Sequence, residues 1–154
     1  MTFYRALENR YSFLVFLFIT FFVISSPLAY EDWPHSSGSS NSERYSKLNQ
    51  INKKNIQNLE IDWDFFSGQI SSNNTVQASP IFTGNFLINV TIGGDVVAID
   101  PLSGDSVWRT QLTAPVGRRG LTFDDLNQPL IYVPTADGIV ALDEDTGDIS
   151  KIYK

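Results

Sequence analysis

The chain has 154 residues, no cysteine, one histidine (His35) and a formal charge of −6. Without cysteine there is neither a disulfide framework nor a thiolate metal site, and a single histidine excludes a histidine-rich zinc centre. With Arg5, Arg10 and Glu8 of the first 29 residues set aside, 9 basic and 16 acidic residues remain, a net charge of −7 that argues against nucleic acid as a partner.

Residues 1–29 read as a secretory signal peptide: Arg5 and Arg10 precede an uncharged run from Tyr11 to Ile24, which ends in Ser25-Ser26-Pro27-Leu28-Ala29. The run of 14 residues is short against the roughly 20 needed to span a bilayer, which favours cleavage. Pro27 at the −3 position of a cut after Ala29 fits the small-residue rule poorly, so an uncleaved anchor is the alternative. Either way the rest of the chain is expected to be exported, and membrane contact is expected only through this segment if it is uncleaved.

Residues 30–58 form an N-terminal arm and a short helix. The arm is rich in Ser, Gly, Asn and Pro, a composition that cannot build a core by itself, and His35 within it reads as exposed rather than catalytic. Asn52 is placed to cap a helix through Leu59, in which Ile56 and Leu59 share one face and are expected to pack on a sheet. From Leu59 to Phe66, Leu59, Ile61, Trp63 and Phe65 alternate with Glu60, Asp62 and Asp64, the cleanest strand pattern in the chain.

The remainder is organised by a period. Ala98-Ile99-Asp100-Pro101-Leu102-Ser103-Gly104-Asp105 returns 43 residues later as Ala141-Leu142-Asp143-Glu144-Asp145-Thr146-Gly147-Asp148. In each copy an apolar run reaches an Asp whose carboxylate can bond the following backbone, and a Gly then supplies the positive φ that such a turn needs. Strands are expected near Gln77 to Phe82, Phe86 to Thr91, Asp95 to Asp100 and Ser106 to Leu112. A second set begins near Gly117 and includes Leu130 to Pro134, Gly138 to Leu142 and Ile149 to Tyr153. The fold class is therefore all-β: residues 59–154 are the first antiparallel four-stranded blades of a β-propeller, with repeats near 77–112 and 117–154. About 125 residues beyond the leader suffice for two or three blades, fewer than a propeller needs, so a larger propeller is expected.

The opening Arg44-Tyr45-Ser46-Lys47-Leu48-Asn49-Gln50-Ile51-Asn52, followed by Asn55-Ile56-Gln57-Asn58-Leu59 and Trp63, resembles the start of the pyrroloquinoline-quinone (PQQ)-dependent dehydrogenases, the quinoprotein alcohol and glucose dehydrogenases. That family is similar also in its tryptophan-docking pattern, which Ala98, Asp100, Gly104 and Trp108 match fully; the second copy departs from it, with Lys151 in the tryptophan's place. The resemblance covers residues 33–154 and implies an eight-bladed propeller with PQQ and calcium on its axis, an aspartate base, and an alcohol or sugar as substrate. By position it implies cofactor contacts at Arg119 and at Gln77, where many members carry glutamate. A guanidinium donates bidentately to quinone or carboxylate oxygens, whereas an amide in place of a carboxylate removes a negative charge.

The adjacent cysteine pair of the alcohol-oxidising members is absent, with Thr113 and Ala114 in its neighbourhood. No catalytic residue or metal ligand is assigned within this chain, which is expected to be inactive alone; the electron acceptor is unassigned. Asp124-Asp125 and Asp143-Glu144-Asp145 read as solvated loop and turn rather than metal ligands. The rival reading is a non-enzymatic periplasmic propeller that uses such repeats as an interaction scaffold.

Overall fold

The computed structural model describes residues 31–68, 78–117 and 120–154. The leader segment therefore lies outside the described residues, as do Gln77 and Arg119.

Among the described residues eight strands form two antiparallel sheets, each with its strands in chain order. The first holds β1 (Ile81–Phe82), β2 (Leu87–Val90), β3 (Val96–Ile99) and β4 (Ser106–Thr110). The second holds β5 (Thr122–Asp124), β6 (Leu130–Thr135), β7 (Gly138–Asp143) and β8 (Ile149–Tyr153). Registers correspond between the sheets: Ala98 stands opposite Trp108 and Ala141 opposite Lys151, with a shift in register one residue later in both.

The turns that follow β3 and β7 explain why an Asp and a Gly recur there. Asp100 Oδ1 accepts from the Leu102 and Ser103 amides at 2.7 and 3.3 Å, and the Gly104 amide donates to Asp100 O at 2.9 Å. Asp143 Oδ1 accepts in the same way from Asp145 and Thr146 at 3.1 and 3.0 Å, and Gly147 donates to Asp143 O at 2.9 Å. Gly104 and Gly147 have φ of 77° and 73°, which a side chain would strain.

A single apolar core joins the sheets. Ile81, Ile88, Val96 and Ala98 of the first meet Leu121, Ile131, Val133 and Leu142 of the second, with Trp108 between them. The continuous run Val96–Ile99 is buried on both faces, as its unbroken apolar sequence requires.

The arm is more ordered than its composition suggests. Trp33 exchanges two backbone hydrogen bonds with Phe82 at 2.8 and 2.9 Å, while the Phe123 amide donates to Pro34 O at 2.8 Å. His35 pairs with both Gly38 and Thr122 and is partly covered. The arm thus ties β1 of one sheet to β5 of the other, and His35 is a backbone link in that tie rather than an idle exposed side chain.

Two further expectations are corrected. The helix from Asn52 to Leu59 is reduced to one 3-10 turn, Ile56–Asn58. Asn52 Oδ1 is used in its own turn, accepting from the Lys54 amide, and Ile56 and Leu59 are exposed instead of packed on a sheet. Residues 59–66 belong to neither sheet, despite their alternation. The strand Thr122–Asp124 was not singled out by periodicity, being three residues of intermediate burial.

Candidate functional site

Where the arm crosses β1, the edge strand of the first sheet, a cavity of about 540 Å³ opens, lined by Trp33, Ser36 and Arg44 of the arm and by Ser79, Pro80, Ile81, Phe82 and Leu87. Two features of the arm shape its wall. Gly38, at φ 90°, lies against the Trp33 ring, where a Cβ would come within 3.0 Å. Arg44 itself adopts a positive φ of 52°, and its amide donates to Ser37 O at 3.1 Å, folding the arm back on itself.

Beyond Arg44 the chain is fastened by Glu31. Its Oε2 accepts from Ser46 Oγ at 2.6 Å and from the Lys47 amide at 3.0 Å. The Ser46 hydroxyl, then the Lys47 amide, hold the Glu31 carboxyl below the ordinary carboxylate range.

The cavity combines an aromatic and aliphatic wall with the Ser36 and Ser79 hydroxyls and the Arg44 guanidinium. Among the described residues Arg44 forms no ion pair, whereas Arg109 pairs with Asp95. A cavity lined by both an arginine and an indole suits a flat, anionic small molecule, since the guanidinium fork matches a carboxylate and the ring offers a stacking face. A planar quinone bearing carboxylates fits that donor set.

Two described residues close in sequence to those carried by resemblance lie in this region. Ser79, on the cavity wall, is two residues past Gln77. Gly120, next after Arg119, faces Ser36, whose Oγ would lie 3.3 Å from a Cβ there. Trp33, Ser36 and Arg44 were not singled out as site residues by sequence reasoning. The opening that contains Arg44 was visible only as a family mark, and nothing local in the sequence says that it folds onto β1.

Other acidic candidates have structural places. Asp124 Oδ1 accepts from the Leu126 amide at 3.2 Å as the chain leaves β5. Glu144 is buried, receiving Asn85 Nδ2 at 3.3 Å on its carboxylate and Trp108 Nε1 at 2.7 Å on its carbonyl. Among the described residues no three His, Cys, Asp or Glu side chains stand together as a metal site.

The family model for the PQQ glucose/ethanol/alcohol dehydrogenase β-propeller domain matches residues 33–153. Quinoprotein glucose dehydrogenase A of Acinetobacter calcoaceticus is 28% identical over 152 residues, covering 78% of this chain and 19% of that protein. The quinohemoprotein alcohol dehydrogenase of Comamonas testosteroni is 30% identical over 125 residues, 75% of this chain and 17% of its own length. The crystal structure of the quinohemoprotein alcohol dehydrogenase from Comamonas testosteroni superposes with a TM-score of 0.66 at 26% identity, covering 79% of this chain and 19% of that one. A europium-containing methanol dehydrogenase gives 0.66 at 27% identity, covering 80% of this chain and 23% of that one. The chain spans about a fifth of the length of these relatives. On the match across residues 33–153 and the two sheets that superpose on these propellers, the chain belongs to the PQQ glucose/ethanol/alcohol dehydrogenase β-propeller family.

Proposed function

We propose that this chain is the N-terminal section of an exported PQQ-dependent dehydrogenase that oxidises an alcohol or a sugar. The observation that carries the reading is the family match over the whole of the arm and both sheets, together with a cavity of cofactor size where the arm meets β1. Export rests on the charge and hydropathy pattern of residues 1–29.

When bound, the quinone supplies the redox chemistry by accepting the substrate's two electrons. The part of this chain is to hold it. Arg119 donates to quinone or carboxylate oxygens without exchanging a proton, and Gln77 offers an amide where relatives of the resembling type use a carboxylate. Arg44, Ser36 and Ser79 line the approach, and the Trp33 indole closes it. Calcium, when bound, and the aspartate that removes the substrate proton would be supplied by residues outside this chain, so the 154 residues by themselves would turn nothing over.

The test is a titration of the purified chain with PQQ, followed by tryptophan emission and by dye reduction in the presence of calcium and an alcohol or glucose. PQQ is expected to quench emission, Arg119→Ala to weaken that binding about ten-fold through loss of charge-assisted hydrogen bonds, and no dye to be reduced. A chain whose emission ignores PQQ overturns the cofactor reading; quinone-dependent dye reduction overturns the placing of the catalytic base.

A further inference from the structure

The arm closes into a loop against the cavity. Glu31 Oε2 accepts from Ser46 Oγ at 2.6 Å and from the Lys47 amide at 3.0 Å, so one carboxylate joins the two ends of residues 31–47. The first part of the loop is fixed to the sheets: Trp33 exchanges two backbone hydrogen bonds with Phe82, the Phe123 amide donates to Pro34 O, and Ser36 lies against Gly120. The second part is not. Among the described residues no backbone hydrogen bond joins 39–47 to a sheet, residues 40–45 are exposed, and none of 39–47 belongs to the apolar core. What holds this part to the first is the Glu31 carboxylate and the Arg44 amide, which donates to Ser37 O at 3.1 Å.

Gly38 stands between the two parts. At φ 90° and with its backbone against the Trp33 ring, it absorbs a change of direction without a side chain to dislodge. Closure carries a cost. Ser39 Oγ is buried and finds no hydrogen-bond partner, and Arg44, which lines the cavity, holds a positive φ of 52°, strained for a residue with a side chain. The fastening at Glu31 is thus set against unfavourable terms at Ser39 and Arg44, in a segment that shares no core with the sheets and so opens more readily than they unfold.

We propose that residues 39–47 are a strap that lifts about Gly38 when Glu31 releases Ser46 and Lys47, admits a flat anionic molecule to the cavity, and closes on it. Trp33 and Ser36 form the fixed wall and Arg44 the moving one. The occupant favours the closed strap because Arg44, which forms no ion pair among the described residues, gains charge-assisted hydrogen bonds to a carboxylate only with the strap down. The nature of the occupant rests on the cofactor reading; the motion does not.

Two substitutions shift the strap in opposite directions and leave the cavity wall intact. Glu31→Gln weakens the fastening and Ser39→Ala removes the buried hydroxyl, and each acts equally on the empty and the occupied closed states. The intact chain is mixed with PQQ in stopped flow and followed by tryptophan emission. Glu31→Gln is expected to raise the association and release rates each about five-fold and Ser39→Ala to lower each about three-fold, with Kd within about two-fold of the parent chain. Rates that ignore both substitutions, or a Kd that moves in place of the rates, overturn the strap. Without ligand, solvent exchange of the Arg44 amide measured by NMR is expected to follow the same order while the Phe82 amide stays constant. An Arg44 amide indifferent to both substitutions overturns the motion. A chain that shows this exchange pattern but binds no PQQ keeps the motion and overturns the occupant together with the cofactor reading.

Discussion

Removing the Trp108 indole tests how the two sheets hold each other. The side chain is nearly buried, at 9% exposure, and lies between Ala98 on its own sheet and Gly147 on the next. Trp108→Ala is expected to cost about 3–5 kcal/mol for the lost burial and residual cavity, plus about 1 kcal/mol for the Glu144 carbonyl left without its donor. Against a stability of about 5–15 kcal/mol for a domain, that is a large fraction. The contact with Gly147 permits a sharper reading. Gly147→Ala introduces a Cβ within 2.5 Å of the ring at a φ of 73°, so it combines backbone strain of about 1–2 kcal/mol with overcrowding of about 1–3 kcal/mol. In a Trp108→Ala background the clash with the ring disappears, and the backbone strain and the contact with Thr110 Oγ1, 2.7 Å from that Cβ, remain. Guanidinium unfolding of the two single variants and the double variant, followed by far-ultraviolet circular dichroism, is expected to show a coupling of about 1–3 kcal/mol. Additive costs, or a Trp108→Ala cost below about 1 kcal/mol, would refute the argument that this indole is the joint between the sheets.

The arm offers two further tests. Glu31→Gln removes a carboxylate whose pKa is lowered by the Ser46 hydroxyl and then the Lys47 amide. Because the folded carboxyl binds its proton less readily than the unfolded one, its stabilisation is present above the ordinary carboxylate range and lost as pH falls through the folded value. The stability difference between the native chain and Glu31→Gln, read from unfolding midpoints, is therefore expected at neutral pH and to vanish on acidification; a difference independent of pH would refute it. Gly38→Ala forces a side chain into φ 90° and against the Trp33 ring, a cost of about 1–2 kcal/mol to the arm. Hydrogen exchange should then quicken at the Phe82 and Phe123 amides, which donate to Trp33 O and Pro34 O, and leave β3 unchanged. Unaltered exchange at both amides would show that the arm does not tie the sheets.

What the sequence disclosed tracks how local the cause is. The turns after β3 and β7 were legible because an Asp carboxylate and a Gly at positive φ act within five residues. Val96–Ile99 was legible as a strand because four successive apolar β-formers suit a strand covered on both faces. The arm was not, since Ser and Gly mark a chain that builds no core, yet such a chain can still lend its backbone to Phe82 and Phe123 far along the sequence. The helix at 52–59 failed for the converse reason: Ile56 and Leu59 have helical spacing but meet no surface, and a short helix without packing does not pay for its nucleation. The cavity was invisible because Trp33, Arg44 and Ser79 come together only when the arm crosses β1. Gln77 and Arg119 rest on the family resemblance alone.

Lys151 shows how a departure from the repeat acquires a physical meaning. It stands opposite Ala141 as Trp108 stands opposite Ala98, on the strand face that in β4 meets the neighbouring turn. Its ammonium lies 4.7 Å over the Tyr153 ring, and Ile149, Lys151 and Tyr153 are all exposed. A lysine shares one property with the indole it replaces, a donor able to reach a turn carbonyl, and lacks the other, a flat surface to cover a glycine. Against a turn of the kind that Trp108 covers, Lys151 would act by hydrogen bonding and charge more than by buried area.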